Sequence, residues 1–222
     1  MNDQAFIDLA KEVDNYGARL IAVSKTRSIE EIQKLYDHGQ RDFGENKVQE
    51  WVDKRGQLPD DIRWHLIGHL QTNKVKYLDP VPYLIHSLDR KKLLKELDKT
   101  GRAAGKNFNV LLQIKIAAED SKFGFDWEEL FVMAKEGVFA QYPNVNVRGV
   151  MGMATFTENL SQVREEFREL RGYFEQLLPY FDTEVFTEVS MGMSGDYKIA
   201  LEEGSTMIRV GTLIFGPRNY QH

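Results

Sequence analysis

Short apolar runs alternate along the chain with segments in which apolar residues recur every three or four positions. Runs that are apolar at consecutive positions and rich in β-branched residues are typical of parallel strands covered on both faces. The pattern predicts eight such strands, over Leu20–Ser24, Asp42–Glu45, Trp64–Gly68, Leu84–Leu88, Val110–Ile116, Arg148–Ala154, Val185–Ser190 and Met207–Thr212.

Helices are predicted between these strands, and several have recognisable ends. Ser28 and Glu31 form a capping box before one helix, and Asp126 and Glu129 have the same spacing before another. The longest helix is predicted from a single apolar stripe that Pro179 ends, made of Val163, Phe167, Leu170, Phe174 and Leu177.

Strands that alternate with helices imply right-handed βαβ units, and eight of them in roughly 200 residues fit one (β/α)₈ TIM barrel. An open, doubly wound sheet is the alternative architecture. The last strand lies too close to the C-terminus for a full eighth helix, so the N-terminal helix with Phe6, Leu9 and Val13 is expected to cover that gap. With no linker or internal repeat, residues 1–222 are predicted to form a single domain.

Composition narrows the classes of function. The chain has no cysteine, which excludes disulfides, thiolate nucleophiles and cysteine metal sites. Its formal net charge of −5 argues against a nucleic-acid partner, which requires a basic face. No apolar run reaches the ~20 residues of a membrane span, and the first residues do not form a signal peptide. We therefore expect a soluble cytoplasmic protein without a membrane partner.

In such a barrel, function concentrates at the carboxyl ends of the strands. The first predicted strand ends in AVSK, which places Lys25 directly after a buried run. A lysine in this position is ordinarily a solvated strand exit. Burial would instead lower the pKa of the amine by disfavouring its charged form, and would make the amine a nucleophile toward aldehydes.

The ends of the last two strands point to an anion. Ser194 lies in a loop of small residues before a predicted helix, and Gly211 and Thr212 pair a glycine with a hydroxyl. Either loop alone is explained equally well as an ordinary turn whose polar residue caps the following helix. Loops after strands seven and eight are the recurrent phosphate-binding position in these barrels, so both together, opposite Lys25, favour a phosphate ligand.

Arg209 lies within an otherwise apolar strand, where an unpaired guanidinium is energetically costly. One interpretation is a buried ion pair with a strand carboxylate such as Glu188. The other is a donor to a ring nitrogen or phosphate of a ligand. Both remain open from the sequence.

Further polar residues follow strands two, three and five. Asn46 and His65 lie near strand ends, and Lys122 and Gly124 fall in a loop that is better explained as surface than as an anion site. His65 and His69 are four apart, but Gly68 lies between them at a strand end, so no metal site is predicted.

Six separated motifs together resemble the pyridoxal phosphate homeostasis family in order and spacing: AVSK, FGENKVQE, WHLIGHLQTNK, RGVMGMA, SMGMSGDYKIAL and GSTMIRVGTLIFG. Members of that family resemble the cofactor-binding barrel of alanine racemase without its second domain. The resemblance spans the chain from about Leu20 to Gly216. It is loosest in the SKFGF loop after strand five.

The resemblance implies that Lys25 holds pyridoxal phosphate (PLP) as a Schiff base. It also implies that Ser194, Gly211 and Thr212 lie at the phosphate and Arg209 at the pyridine nitrogen. Among the eight residues expected around the cofactor, those with less defined roles are Asn46, His65 and Met191.

A carrier role is expected rather than catalysis. Pyridoxal enzymes use a protonated ring nitrogen as an electron sink, and the charge of Arg209 would disfavour that proton. Racemases with this arrangement use an opposite-face base from another domain or subunit, for which this chain has no residues left. The resemblance thus implies a monomer that supplies PLP, without turnover, to PLP-dependent apo-enzymes. The rival hypotheses are a racemase or decarboxylase of the same fold, and a cofactor-free aldolase that uses Lys25.

Overall fold

Eight parallel strands close into a barrel in the computed structural model, which describes residues 3–118 and 123–217. The strands are β1 (Arg19–Val23), β2 (Asp42–Glu45), β3 (Arg63–Leu66), β4 (Leu84–Leu88), β5 (Phe108–Gln113), β6 (Val145–Met151), β7 (Glu188–Ser190) and β8 (Met207–Val210). The α-helices are α1 (Asp3–Asn15), α2 (Ile29–Asp37), α3 (Val48–Arg55), α4 (Lys91–Ala104), α5 (Trp127–Lys135), α6 (Leu160–Leu177), α7 (Tyr197–Glu202) and α8 (Thr212–Phe215). Short 3₁₀ helices occupy Thr72–Tyr77, Val138–Gln141 and Leu178–Tyr180.

The barrel is closed by pairing of β8 with β1, in a register that runs from Arg19 beside Met207 to Ala22 beside Val210. An open sheet would leave both of these strands with an unpaired edge. The (β/α)₈ barrel predicted from the sequence is therefore confirmed.

Successive residues of each strand point alternately toward the helices and into the barrel. On β8, Ile208 and Val210 pack in the main core between barrel and helices. Met207 belongs to a separate apolar cluster, as do Ile21 and Leu84 from other strands. Because Arg209 has the same parity as Met207, its side chain points into the barrel interior.

Two predicted helix starts differ in how they are capped. The Ser28 hydroxyl accepts the Glu31 N–H and the Glu31 carboxylate accepts the Ser28 N–H, so the capping box before α2 is confirmed. Asp126 occupies the cap position of α5 but its side chain makes no capping bond. Its carboxylate instead lies 3.1 Å from the Lys115 amine. The apolar stripe of α6 is buried as predicted.

Several strands end earlier than their apolar runs suggested. β5 was predicted to reach Ile116, but its ladder stops at Gln113, and Ile114 forms an isolated bridge with Phe125. Ile116 is nevertheless buried. At the end of β5, burial therefore continues beyond the last paired residue.

The N-terminal helix α1 packs against β1 and the single turn of α8. It buries Phe6, Leu9 and Val13, and so covers the side of the barrel beside the four-residue α8, as expected. None of the helices in the described ranges combines the length and hydropathy needed to cross a bilayer.

Candidate functional site

A cavity of about 330 Å³ opens at the carboxyl ends of the strands. Six of the eight site residues predicted from the sequence line it. They come from the ends of β1, β2, β7 and β8, and they are Lys25, Asn46, Ser194, Arg209, Gly211 and Thr212. The closed barrel therefore brings together residues that lie far apart in the sequence.

Lys25 is positioned by a tightly bonded turn at the end of β1. The Ser24 hydroxyl is buried and donates to Glu45 Oε1 at 2.6 Å. Thr26 has a φ of +64°, in the left-handed region that a β-branched residue rarely adopts, and its N–H donates to Glu50 Oε1 at 2.5 Å. These bonds fix the backbone on both sides of Lys25, so the lysine leaves the strand at a defined place beside the cavity.

A buried ion pair between Lys54 and Glu45 stabilises this turn. The Lys54 amine lies 2.8 Å from Glu45 Oε1 and 2.7 Å from Glu50 Oε1, and it also donates to the Ser24 carbonyl at 2.8 Å. Burial raises the pKa of Glu45, and the nearby Lys54 cation opposes that shift. Lys54 thus ties the end of β1 to β2 and α3.

The loop after β7 holds Ser194 at the cavity. The Met193 N–H donates to Asp196 Oδ1 at 2.5 Å, which closes a short turn around Ser194. Gly192 has a φ of +93°, and a Cβ atom there would lie 2.5 Å from the Ala200 Cβ, so the turn requires glycine.

The second hydroxyl is that of Thr212, immediately after Gly211. A Cβ atom on Gly211 would lie 3.1 Å from the Val23 carbonyl oxygen, so the glycine lets the end of β8 approach β1 closely. Within the described residues, the hydroxyls of Ser194 and Thr212 have no hydrogen-bond partner. Both are therefore available to an anion in the cavity.

Arg209 is 4% exposed and reaches the cavity from the barrel interior. Its Nη1 donates to Ser190 Oγ at 2.5 Å and its Nη2 donates to the Gly152 carbonyl at 3.1 Å. Burial lowers the pKa of Arg209 to about 10, and the Asp196 carboxylate opposes that shift, so the guanidinium stays charged at neutral pH.

The ion pair considered between Arg209 and Glu188 does not form. Glu188 pairs instead with Arg19, at 3.6 Å. No carboxylate among the described residues lies within ion-pair distance of Arg209.

Two predicted site residues lie outside the cavity lining. His65 is fully buried between strands, with its ring nitrogens next to Asp42 and His86. Met191 is fully buried in the main core. Their predicted contact with the cofactor stays a prediction.

The sequence analysis also considered Lys122 as an anion contact and His69 as a metal ligand. Lys122 lies outside the described residues. His69 contacts Asp89, a different carboxylate from the partner of His65. Across residues 3–118 and 123–217, no three histidine, aspartate or glutamate side chains are grouped as a metal site.

Eight further residues line the cavity and were not predicted as site residues from the sequence. They are Val23, Arg27, Ile67, Met153, Phe156, Met193, Gly195 and Asp196. Val23, Ile67 and Met153 fall within predicted strands, Met193, Gly195 and Asp196 fall in the loop already considered for Ser194, and Arg27 lies two residues after Lys25. The available signal was position alone, since every strand-end loop contributes to the same mouth.

Known proteins resemble this chain in both sequence and fold. Residues 6–219 match the model of the family described as "Alanine racemase, N-terminal domain". The pyridoxal phosphate homeostasis protein of Aquifex aeolicus is 42% identical over 206 residues, which are 91% of this chain and 88% of that protein. The chain belongs to the pyridoxal phosphate homeostasis family.

Solved structures with a similar fold include a homologue with PLP bound and an alanine racemase. PipY of Synechococcus elongatus, with PLP bound, has a TM-score of 0.85 and 33% identity, covering 96% of this chain and 99% of that one. The alanine racemase of Streptomyces coelicolor has a TM-score of 0.74 at 20% identity and covers 98% of this chain, which spans 57% of the racemase. This second likeness concerns the fold alone.

Proposed function

We propose that this member of the homeostasis family binds PLP in the cavity at the carboxyl end of the barrel. The observation that carries the proposal is the convergence of Lys25, Arg209 and the hydroxyls of Ser194 and Thr212 on one cavity. The amine of Lys25 suits the aldehyde of PLP, and the buried cation of Arg209 suits the pyridine nitrogen. The two hydroxyls suit the phosphate.

Lys25 is the residue proposed to hold the cofactor covalently. Its amine would hold the aldehyde group of PLP through a C=N bond, with the loss of one water molecule. The turn around Ser24 and Thr26 supports this assignment because it fixes where the lysine leaves the strand. The proposed phosphate donors, Ser194 and Thr212, follow the adjacent strands β7 and β8 at the same mouth.

The proposed role is to hold and supply PLP rather than to turn over amino acids. A charged guanidinium at the ring nitrogen disfavours its protonation and weakens the electron sink that pyridoxal enzymes use. Arg209 remains charged while buried at the cavity, which supports this role. The recipients are proposed to be PLP-dependent apo-enzymes, and the protein to act as a cytoplasmic monomer.

Reductive trapping tests the proposal. The protein is incubated with PLP, reduced with borohydride and digested, and the labelled peptide is located by mass spectrometry. We expect the label on Lys25 in the parent and no label in Lys25→Ala. Lys74→Ala is the matched control, since Lys74 lies by Tyr77 rather than in the cavity lining, and should be labelled like the parent. Label on another lysine would refute the assignment.

The same preparations separate the role from its rivals. The parent incubated with L-alanine in deuterated water should accumulate no D-alanine. Racemisation at ordinary enzyme rates, roughly 1 per second or more, would make the protein a racemase instead. Absence of a visible Schiff-base band with PLP, together with borohydride trapping of a sugar phosphate on Lys25, would favour the aldolase.

A further inference from the structure

A continuous line of polar side chains runs through the barrel interior behind Arg209. Arg209 Nη1 donates to Ser190 Oγ at 2.5 Å, and Ser190 Oγ lies 2.9 Å from His86 Nδ1. His86 Nε2 lies 2.9 Å from His65 Nδ1, and His65 Nε2 lies 3.0 Å from Asp42 Oδ1. The five residues come from β8, β7, β4, β3 and β2, so the line crosses the barrel rather than following one strand.

The line joins the two ends of the barrel. Arg209 lines the cavity at the carboxyl end. Asp42 is the first residue of β2, at the amino end, where it also pairs with Arg63. The Arg63 side chain is 43% exposed, whereas the residues between Asp42 and Arg209 are buried.

The hydrogen bonds along this line have one self-consistent direction. A guanidinium only donates, so Ser190 Oγ accepts from Arg209 and its own proton is available to His86 Nδ1. His86 then carries its proton on Nε2 and donates to His65 Nδ1. His65 in turn carries its proton on Nε2 and donates to the Asp42 carboxylate.

The opposite direction is disfavoured by Asp42. Neutral histidines with protons on Nδ1 would point the unprotonated Nε2 of His65 at the Asp42 carboxylate, so that two acceptors face each other. A charged His65 would satisfy Asp42, but burial and the nearby Arg19 and Arg63 cations lower the pKa of His65 against the pull of Asp42.

The second histidine is also held neutral. Burial lowers the pKa of His86 well below the ordinary value, and the charges that face it, on His65 when protonated and on Arg209 and Arg19, lower it further. Two neutral imidazole rings therefore link Arg209, through Ser190, to the Asp42 carboxylate by hydrogen bonds.

We propose that Asp42, His65, His86 and Ser190 are positioning residues for Arg209 and, through it, set the electrostatic environment of the PLP ring nitrogen. The Asp42 carboxylate, which also pairs with Arg63, accepts from His65 and so fixes the direction of the hydrogen bonds. The two histidines and the serine continue that direction across the barrel to Arg209. This inference rests on the proposed function, because it places the ring nitrogen beside Arg209.

Ring-nitrogen NMR of the cofactor-free protein tests the line itself. With ¹⁵N-labelled histidine, we expect His65 and His86 to be neutral with the proton on Nε2 between about pH 5 and 8. Asp42→Asn keeps an acceptor but removes the charge, and should give a mixture of tautomers. Asp98→Asn is the matched control, a buried aspartate on α4, and should leave both signals unchanged. A charged or Nδ1-protonated ring in the parent would overturn the inference.

Binding measurements test the connection to the ring nitrogen. Ser190→Ala should weaken PLP binding by about tenfold, which corresponds to about 1.4 kcal/mol, and should shift the visible band of the bound cofactor. It should leave unchanged the affinity for a deaza analogue of PLP, in which carbon replaces the ring nitrogen. Ser205→Ala is the matched control, because Ser205 is buried and bonds only backbone carbonyls.

The outcomes separate this inference from the proposed function. If Ser190→Ala weakens PLP and its deaza analogue equally, the positioning role is refuted while PLP binding stands. If the parent binds no PLP, the proposed function fails together with the role at the ring nitrogen. In that case the tautomers still decide whether the polar line has the direction assigned to it.

Discussion

The barrel interior and the mouth of the cavity each hold an aspartate, and the two regions shift the pKa of that aspartate in opposite directions. For Asp42 in the interior, burial alone would raise the pKa, but hydrogen bonds from Arg63 and His65 outweigh it and lower the pKa to about 2. For Asp196 at the mouth, burial raises the pKa, and the Met193 N–H offsets this only in part. Asp42 has hydrogen-bonding side-chain partners, whereas Asp196 is stabilised by backbone N–H groups and by the charge of Arg209, which do not fully offset its burial.

This difference indicates what each region is built to do. In the interior, Ser190, His65 and His86 each bond a neighbouring side chain, so their geometry is fixed without a ligand. At the mouth, the hydroxyls of Ser194 and Thr212 have no such partner within the described residues. Substitutions should therefore alter stability in the interior and ligand binding at the mouth.

The largest effect is expected for His65→Leu. The substitution leaves His86 Nε2–H and one bond of Asp42 without partners, and such groups cost ~1–3 kcal/mol each, more when charged. We expect the free energy of unfolding, measured with denaturant, to fall by about 3–5 kcal/mol. His69→Leu is the control: His69 is only part-buried, and its partner Asp89 keeps the bond to Arg90, so a loss of about 1 kcal/mol is expected. Equal losses would contradict the distinction.

The reverse pattern is expected for the double variant Ser194→Ala, Thr212→Ala. Two hydrogen bonds to a charged phosphate are removed, so PLP binding should weaken by about 2–4 kcal/mol in a titration. Stability without ligand should change by no more than about 0.5 kcal/mol. Unphosphorylated pyridoxal should bind the parent poorly and be unaffected. If the parent binds pyridoxal as tightly as PLP, these loops do not bind a phosphate.

The smallest effect concerns the two aspartates. A carboxyl whose pKa is lowered on folding stabilises the fold above its unfolded pKa and loses this contribution as the pH falls. For Asp42 the contribution is roughly 2 kcal/mol at neutral pH, lost between about pH 5 and 2.

Unfolding measurements on two isosteric variants test this contrast. Asp42→Asn should destabilise the protein at neutral pH, and the difference from the parent should shrink in acid. For Asp196→Asn the sign reverses, because a raised pKa makes the charged carboxylate unfavourable in the fold; this variant should be at least as stable as the parent at neutral pH. A loss of stability at Asp196 equal to that at Asp42 would argue against the contrast.

The mouth could be predicted from the sequence, and the interior line could not. Lys25, Ser194 and Thr212 follow strand ends, and in a closed parallel barrel all strand ends of one polarity meet at the same mouth. Finding them required only the order of the strands. The side chains that line the mouth from loops, such as Phe156, required the paths of those loops, which apolar periodicity does not encode.

The interior line depends on features that the apolar pattern does not fix. His65 was placed near the cofactor from motif position, while Asp42 and His86 were not identified at all. Each is a polar residue in a buried strand, which is a recognisable anomaly. Which of them meet is decided by the stagger between strands, and the apolar pattern within one strand does not encode that stagger.

The pairing of β1 with β8 has a consequence for how the polypeptide reaches this state during synthesis. β1 leaves the ribosome early, yet its second neighbour is among the last strands to be made. Until then one edge of β1 presents unsatisfied backbone groups, which other chains can pair with. The helix α1, made just before β1, also finds part of its contact surface only when α8 has emerged. Nascent chains stalled before β8 should therefore be the aggregation-prone species of this protein.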